Sequence, residues 1–422
     1  MVPLKTEPVA EPPPVEPEGE RWKRTFTALE NPNYRLWFYG QMVSLFGTWM
    51  QTTAQGFLVF ELTHSATYLG IVGFAAGVPT WLLTLYGGVV ADRVSRRGLM
   101  VVTQTGMMVL AFLLAALTFL QLVQPWHIVL LALFLGIANA FDAPARQAFV
   151  SELVPRHHMT NAIALNATMF NTATALGPAI AGITYALFGP GWCFTINGIS
   201  FIAVIIALKL MKLAPPHPRP HERSVWSELK EGIAYVSSEP VIRTIFALVA
   251  ATSLFAISLA TLIPAWSVNI LKGHAATNGF LLSARGAGSL IGSLFIASLG
   301  NTPFRGRFLT AGSIAYPLLL IAFAFAEWVP LSVVLLLGIG FGTILVLNLA
   351  NAIVQTSTPD RLRGRVMGAY TWIFFGFMPL GALWTGTAAE HLGEPDAIII
   401  NALLAMAISL VVFFFIPRLR QQ

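Results

Sequence analysis

Three ionisable residues stand well inside apolar stretches of this chain: Asp142, Arg146 and Arg285. Asn139, Asp142 and Arg146 are spaced i, i+3 and i+7, which puts them on one face of a helix. Pro144 lies between them and can bend that helix, freeing a carbonyl. Asp142 and Arg146 are one turn apart; they form a structural ion pair, or Asp142 is a proton-coupling carboxylate whose charge state a substrate tips. Arg285, in Ser283-Ala284-Arg285-Gly286-Ala287-Gly288, has no acid near it in the sequence. It can hold an anionic group of a substrate or pair with Asp142. Charges in such surroundings are costly and point to function.

Uncharged polar residues add to this set. Gln41, Ser44, Thr48, Gln51, Thr52 and Gln55 follow one helical face. Such a stripe either joins helices or lines a cavity, and Trp49 beside it can stack on a planar ligand. Asn166 and Asn171, and further on Asn348 and Asn351, are weaker candidates of the same kind. A short charged break, Gly88-Val89-Val90-Ala91-Asp92-Arg93-Val94-Ser95-Arg96-Arg97, separates two apolar runs. It is either a solvated basic turn or a turn that is held and released.

Other chemistry is not indicated. There is no His-Glu-x-x-His, no Gly-x-Ser-x-Gly and no paired acidic motif, so no enzyme is expected. Gly286-x-Gly288-x-x-x-Gly292 lacks the spacing of a nucleotide loop and reads as helix packing. The single cysteine, Cys193, excludes an intrachain disulfide framework, and no cysteine-based metal site is expected. No cofactor and no metal are expected.

The elements that must position these groups are apolar helices. The chain is 56% hydrophobic and 10% charged, whereas soluble domains carry about 25% charged residues. Apolar runs cover residues 36–60, 66–91, 98–121, 126–150, 160–188 and 192–211, then 241–271, 276–300, 308–326, 329–355, 365–389 and 396–416. Each approaches or exceeds the ~20 residues that span a hydrocarbon core, and backbone in lipid must satisfy its own hydrogen bonds, so the runs are read as twelve helices. Of the 25 Lys+Arg, all but Lys272, Arg146 and Arg285 fall on one side of this arrangement. That is the positive-inside pattern, which explains the net charge of +6 without nucleic acid and puts both termini in the cytosol. Residues 1–30, rich in Pro and Glu near the start, read as a disordered cytosolic tail with no signal peptide.

The register breaks most at 212–240, where Pro215, Pro216, Pro218 and Pro220 precede an amphipathic piece, Ser224–Val236. Its apolar residues, Val225, Trp226, Leu229, Ile233 and Val236, have helical spacing that suits the inner membrane surface. This linker divides the chain into six-helix halves, 31–211 and 241–417. Pro155, Gly177, Gly182 and Gly136 recur 204 residues later as Pro359, Gly381, Gly386 and Gly340. Leu69-Gly70 through Gly77 recurs 209 residues later as Asn278-Gly279 through Gly286, and Asn139/Asp142 finds a looser echo in Asn348/Asn351. Repeats at one spacing indicate duplication, and two six-helix halves are a transporter plan with substrate held between them.

The turn Gly88-x-x-x-Asp92-Arg93-x-x-Arg96-Arg97 resembles the signature between the second and third helices of the major facilitator superfamily. Thr48-Trp49-Met50-Gln51, Ala138-Asn139-Ala140-Phe141-Asp142-x-Pro144-Ala145-Arg146-Gln147, Asn161-Ala162-Ile163-Ala164-Leu165-Asn166 and Glu231-Gly232-x-x-Tyr235-Val236 are similar to its enterobactin-exporter-like bacterial permease branch. The resemblance runs from about residue 29 to 416. It departs at Ser95, where the family has a second glycine, and at Thr174, where relatives often carry Arg. It implies a gating role for Gly88, Asp92, Arg93, Arg96 and Arg97, with Asp92 meeting the N-terminus of the eleventh helix near Gly364-Arg365 and Arg146 as a second partner. Gly177-Pro178 with Gly182 resembles the fifth-helix motif of antiporters and biases the reading to export.

The expectation is an all-α membrane protein with the major facilitator fold, a monomer in a bacterial inner membrane. It exports a small organic or amphipathic compound, drug-like or siderophore-like, in exchange for protons. A lipid or lysolipid flippase on the same fold is the alternative within transport; a membrane-embedded enzyme and a non-transporting sensor are the alternatives outside it.

Overall fold

The computed structural model describes residues 26–213, 225–299 and 304–415. The Pro- and Glu-rich start of the tail, the proline stretch 215–220, Asn301 and the final arginines Arg418 and Arg420 lie outside the described residues. Every apolar run forms a helix: α1 Pro32–Thr63, α2 Ala66–Arg93, α3 Arg96–Phe119, α4 Pro125–Leu153, α5 Met159–Phe188 and α6 Pro190–Leu210. The amphipathic piece is α7, Val225–Ser238. Then come α8 Pro240–Ile270, α9 Ala275–Leu299, α10 Arg305–Phe323, α11 Val329–Ser357, α12 Asp360–Leu392 and α13 Glu394–Phe415. Within α8 the helix widens to π-type turns at Thr252–Ile257 and Trp266–Ile270.

Local chemistry sets the ends. Asn31 caps α1, accepting from the amides of Asn33 and Tyr34, with Pro32 in the first turn. Ser65 caps α2 and Ser95 caps α3, the latter accepting from the Gly98 amide at 3.1 Å. Ser95, the departure from the family's glycine, thus works as a helix cap. Gly189 (φ 86°) ends α5 and Gly393 (φ 90°) ends α12, 204 residues apart, each in a backbone region that favours glycine.

Ten of these helices are long and apolar enough to cross a membrane. The two remaining long ones, α1 and α5, have 32 and 30 residues. They carry the glutamine, asparagine and threonine stripes, which lower their apolarity while leaving their length. Even the shortest of these twelve, α10 with 19 residues, measures about 28 Å at 1.5 Å per residue. Successive helices reverse direction, so connections gather at two ends. One, the basic face, holds the 92–97 turn, Arg156, Lys209 and Arg361–Arg365; the other, the acidic face, holds Glu61, Glu390, Glu394 and Asp396.

Packing repeats along the chain. The helix α2 lies along α4, and α9 along α11; α1 packs on α6 and α5, α3 on α6 and α4, and α10 on α13 and α11. Two seams join the first six helices to the last six: α2 against α12 and α5 against α9. Lipid tails are as apolar as these side chains, so close backbone approach and interhelical hydrogen bonds hold such helices together. The small residues stand at the approaches. A Cβ on Gly136 would strike the Ala76 carbonyl, and one on Gly340 the Arg285 carbonyl; Gly177 faces Trp49 and Gly381 faces Leu254. Thr80 donates to the Gly136 carbonyl at 3.0 Å and Ser289 to the Gly340 carbonyl at 3.3 Å. These pairs keep the 204- and 209-residue spacings. With Gly136 and Gly340 as anchors, however, Asn139 corresponds to Thr343 and Asp142 to Val346. The echo expected at Asn348 and Asn351 is out of register.

On the linker, α7 rests on α12. Leu229 and Val236 are buried, the Arg365 carbonyl sits where a Cβ on Gly232 would be, and Glu231 pairs with Arg365. Trp226 and Ile233 remain exposed.

Candidate functional site

Both seams are tight at the acidic face, and the α2–α12 seam parts towards the basic face. A Cβ added at Gly70 would lie 2.7 Å from the Ala382 carbonyl oxygen, and one at Gly182 2.6 Å from that of Ala275. Gly279 and Gly386 complete the same contacts from the opposite side, and Gly77 meets Pro379. At this end Glu390, near the C-terminus of α12, accepts from the Ser65 hydroxyl at 2.8 Å and from the Thr67 amide at 3.2 Å. A carboxylate therefore sits at the N-terminus of α2, where the helix dipole favours negative charge.

Further along the α2–α12 seam, Trp81 and Trp372 meet with ring centroids 5.2 Å apart, and Gly376 makes room for the Trp81 ring. Beyond them lies a cavity of about 280 Å³ lined by Trp81, Thr84, Leu85, Met367, Gly368, Thr371, Trp372 and Phe375. Near the basic face, Gly88, Gly364 and Gly368 have nothing within 4 Å of a Cβ position. The seam is thus a wedge.

The charged turn is organised around two arginines. Arg96 bonds Asp92 at 3.1 Å and Glu152 at 2.8 Å, tying α2, α3 and α4 together. Arg97 donates to the carbonyls of Met211 and Lys209 at 3.1 and 2.7 Å, placing a cation at the C-terminus of α6. Arg93 is exposed. The helix expected to begin near Gly364-Arg365 begins at Asp360 instead, so those residues lie inside α12, and Arg365 pairs with Glu231.

Asp142 is 1% exposed. Its Oδ1 accepts from the Thr103 hydroxyl at 2.9 Å and the Gln104 amide at 3.0 Å, both on α3. Its Oδ2 stands 3.9 Å from Arg146 Nε. Asp142 and Arg146 are therefore brought together, while among the described residues Arg285 has no ion-pair partner and its buried Nε no hydrogen-bond partner. Thr103 and Gln104 were not singled out by sequence reasoning; their only signal was polarity in an apolar run.

The α1 stripe is largely inside the first six helices. Gln41, Gln51 and Gln55 are buried. Gln51 accepts from the Asn197 amide of α6 at 2.6 Å, and Gln41 Oε1 has no hydrogen-bond partner among the described residues. Asn197 was missed, although Asn401 stands 204 residues later; Asn401 accepts from Trp384 and donates to Thr385, both at 2.8 Å. Trp49 packs edge-on against Phe170 and lies over Gly177. Asn139 and Asn171 are half-buried. Asn348 reaches Ser293 at 3.4 Å, and Asn351 accepts from Gln355 at 2.6 Å. The Gly177-Pro178-Gly182 motif lies where α5 meets α1 and α9: the Pro178 carbonyl fills the Cβ position of Gly279. Among the described residues, no three His, Cys, Asp or Glu side chains group as a metal site.

A family model described as transmembrane secretion effector matches residues 23–422. The staphyloferrin A transporter of Staphylococcus aureus is 25% identical over 90% of this chain and 96% of its own length. The multidrug efflux pump Tap of Mycolicibacterium fortuitum is 27% identical over 89% and 93%. The enterobactin exporter EntS of Shigella boydii is 25% identical over 83% and 84%. The relatives thus spread over several divergent bacterial exporters and are not confined to the enterobactin branch. In structure, a bacterial homologue of the human lysosomal transporter Spinster, inward-facing and unoccupied, superposes with a TM-score of 0.72 at 11% identity, over 92% of this chain and 97% of that one. The matched family over nearly the whole length, and the shared fold, make this chain a member of the transmembrane secretion effector family of the major facilitator superfamily: a multi-pass membrane transporter of a small molecule, not an enzyme.

Proposed function

We propose that the chain exports a small organic or amphipathic compound in exchange for protons, by alternating access between two six-helix bundles, 31–211 and 241–417. In this reading α1 and α5 also span, giving twelve membrane helices. The basic face and both termini are cytosolic. The observation that carries the proposal is the wedge: both seams closed by glycine contacts at the acidic face, and the α2–α12 seam parted beside a cavity at the basic face. That is the shape of an inward-facing exporter awaiting cargo, and the similar Spinster homologue is inward-facing too. Relatives that carry a siderophore or drugs support the same cargo class. Closing the basic face would bring Asp92 to the N-terminus of α12.

Asp142 is the proton-coupling candidate. Protonation would remove its attraction to Arg146 and convert an acceptor into a donor towards α3. In proteoliposomes, a pH gradient should drive uphill movement of ethidium or a catecholate siderophore, and a protonophore should abolish it. Asp142→Asn should remove the gradient dependence while leaving folded protein. Uphill movement untouched by the protonophore would overturn proton coupling.

One feature favours the flippase alternative. A groove of about 450 Å³ between α1 and α6 opens outward, with Arg35 among otherwise apolar lining residues including Tyr39, Val43 and Ile206. Thermal-shift titration with lysolipids beside siderophores and drugs separates the two cargoes.

A further inference from the structure

Within α9 one side faces outward and the other inward. Phe280, Ile291 and Leu294 are 49%, 53% and 62% exposed and mark the lipid side. Leu294 follows Arg285 by nine residues, two and a half turns, so Arg285 projects from the opposite side. The contacts of α9 agree. Gly279 and Gly286 face α5, Gly288 and Gly292 face α11, and Arg285 emerges between those two approaches. Asn278, two turns towards the acidic face, shares its side and is fully buried, with neither amide atom hydrogen-bonded to any described residue.

The half-buried Arg285 lacks an ion-pair partner among the described residues. Its Nε is buried without an acceptor, and no acidic group of the described residues comes within 4.0 Å of it. The one acid deep in the spans, Asp142, is engaged by Thr103, Gln104 and Arg146. An unpaired charge in such surroundings is expensive unless a partner arrives. Arginine's planar fork matches a carboxylate or phosphate bidentately.

We infer that Arg285 is the binding group for an anionic moiety of the cargo, so that the transporter takes amphipathic anions in preference to their neutral analogues. Asn278 supplies a second polar anchor on the same face. This inference rests on the transport reading above and narrows its cargo class.

The test uses purified full-length protein in nanodiscs and the matched probes N-dansylglycine and N-dansylglycinamide, which differ by one charge. Binding is read by dansyl fluorescence. The wild type should bind the carboxylate about tenfold to a hundredfold more tightly than the amide, as a charge-assisted hydrogen bond allows. Arg285→Gln should bring that ratio near one by weakening the carboxylate alone, and Arg285→Lys, which keeps the charge and loses the fork, should retain part of it. Equal binding of the two probes by the wild type, failure of both to bind, or an unchanged ratio in Arg285→Gln overturns the inference. If Arg285→Gln does not fold, Arg285→Lys decides, since an unaltered ratio there argues against fork recognition. Efflux of both probes from proteoliposomes separates this from the transport reading. Equal movement of both leaves transport standing and removes anion selectivity; selective binding with no movement of either does the reverse.

Discussion

The glycine positions of the two seams make a prediction in which two chemically identical substitutions behave differently. Gly182→Ala puts a methyl group 2.6 Å from the Ala275 carbonyl oxygen and 3.0 Å from the Cα atoms of Ala276 and Gly279. All three are backbone atoms of α9 and its start, so no side chain can turn aside, and α5 and α9 must separate by several tenths of an ångström. Gly88→Ala puts the same methyl group where nothing lies within 4 Å. Both substitutions favour helix by about 1 kcal/mol, but that gain is common to every conformer and cancels in the conformational equilibrium. What remains is overpacking of the closed acidic face, about 1–3 kcal/mol, or roughly a fivefold to 150-fold shift towards the conformer open at that face. The assay is double electron–electron resonance between labels on Leu62 and Leu392, exposed residues near the acidic face in the two halves, with buried Cys193 replaced. Gly182→Ala should populate a longer separation, and Gly88→Ala should match the parent. An unchanged distribution in Gly182→Ala, or an equal shift in Gly88→Ala, refutes the argument that these glycines hold the acidic face shut.

Other expectations follow from single contacts. Asn197→Leu leaves the buried Gln51 carbonyl without its donor and should lower stability by about 1–3 kcal/mol; the double variant with Gln51→Leu should recover most of the loss in a thermal melt, and a strictly additive loss would refute the pairing. Glu390→Gln keeps an acceptor for Ser65 and Thr67 but removes the charge at the start of α2. Glu390 is exposed, so the effect is about 0.3–1 kcal/mol, a twofold to fivefold shift opening the acidic face at low salt that should fade as salt is raised. Asp92→Asn should act in the opposite sense, weakening the conformer closed at the basic face; labels placed across that face would read it, and a shift in the same direction as Glu390→Gln would count against the idea.

Much of the scaffold was readable because its causes are local. Apolar runs, serine and asparagine caps, and glycine before a new helix all act within a few residues, so α1 to α13 appear where hydropathy and capping place them. The repeats were readable as well, because Gly70, Gly182, Gly279 and Gly386 are constrained by backbone approach, which leaves room for no other residue. The rotation of each helix about its axis was not readable. The α1 stripe is visible in the sequence, but whether Gln51 meets a cavity or Asn197 depends on a partner 146 residues away. Asp142 shows the same limit. Arg146 is near in sequence and was foreseen, whereas Thr103 and Gln104 come from packing between α3 and α4. The start of α12 was placed late because Asp360, Arg361, Arg363 and Arg365 are charged, and apolar runs register only the buried part of a helix.

The family signature draws attention to Asp92, yet the geometry gives that carboxylate a counterpart. The helices α2 and α12 run antiparallel along one seam. Each starts where the other ends, so each C-terminal end can present a carboxylate to the other's N-terminal amides. Glu390 does this at the acidic face, with Ser65 and Thr67. Asp92 has the equivalent place at the basic face, where the seam is parted and Arg96 holds it. Under the proposed alternating access, a rigid rocking of the two helices cannot close both ends at once, so two carboxylates at opposite ends of one antiparallel pair would stabilise opposite conformers. The second seam, α5 with α9, has glycine contacts but no such carboxylates: α5 ends at Phe188, and α9 ends at Leu299. On that proposal the electrostatic bias between conformers is concentrated in α2 and α12, beside the cavity lined by Trp81 and Trp372.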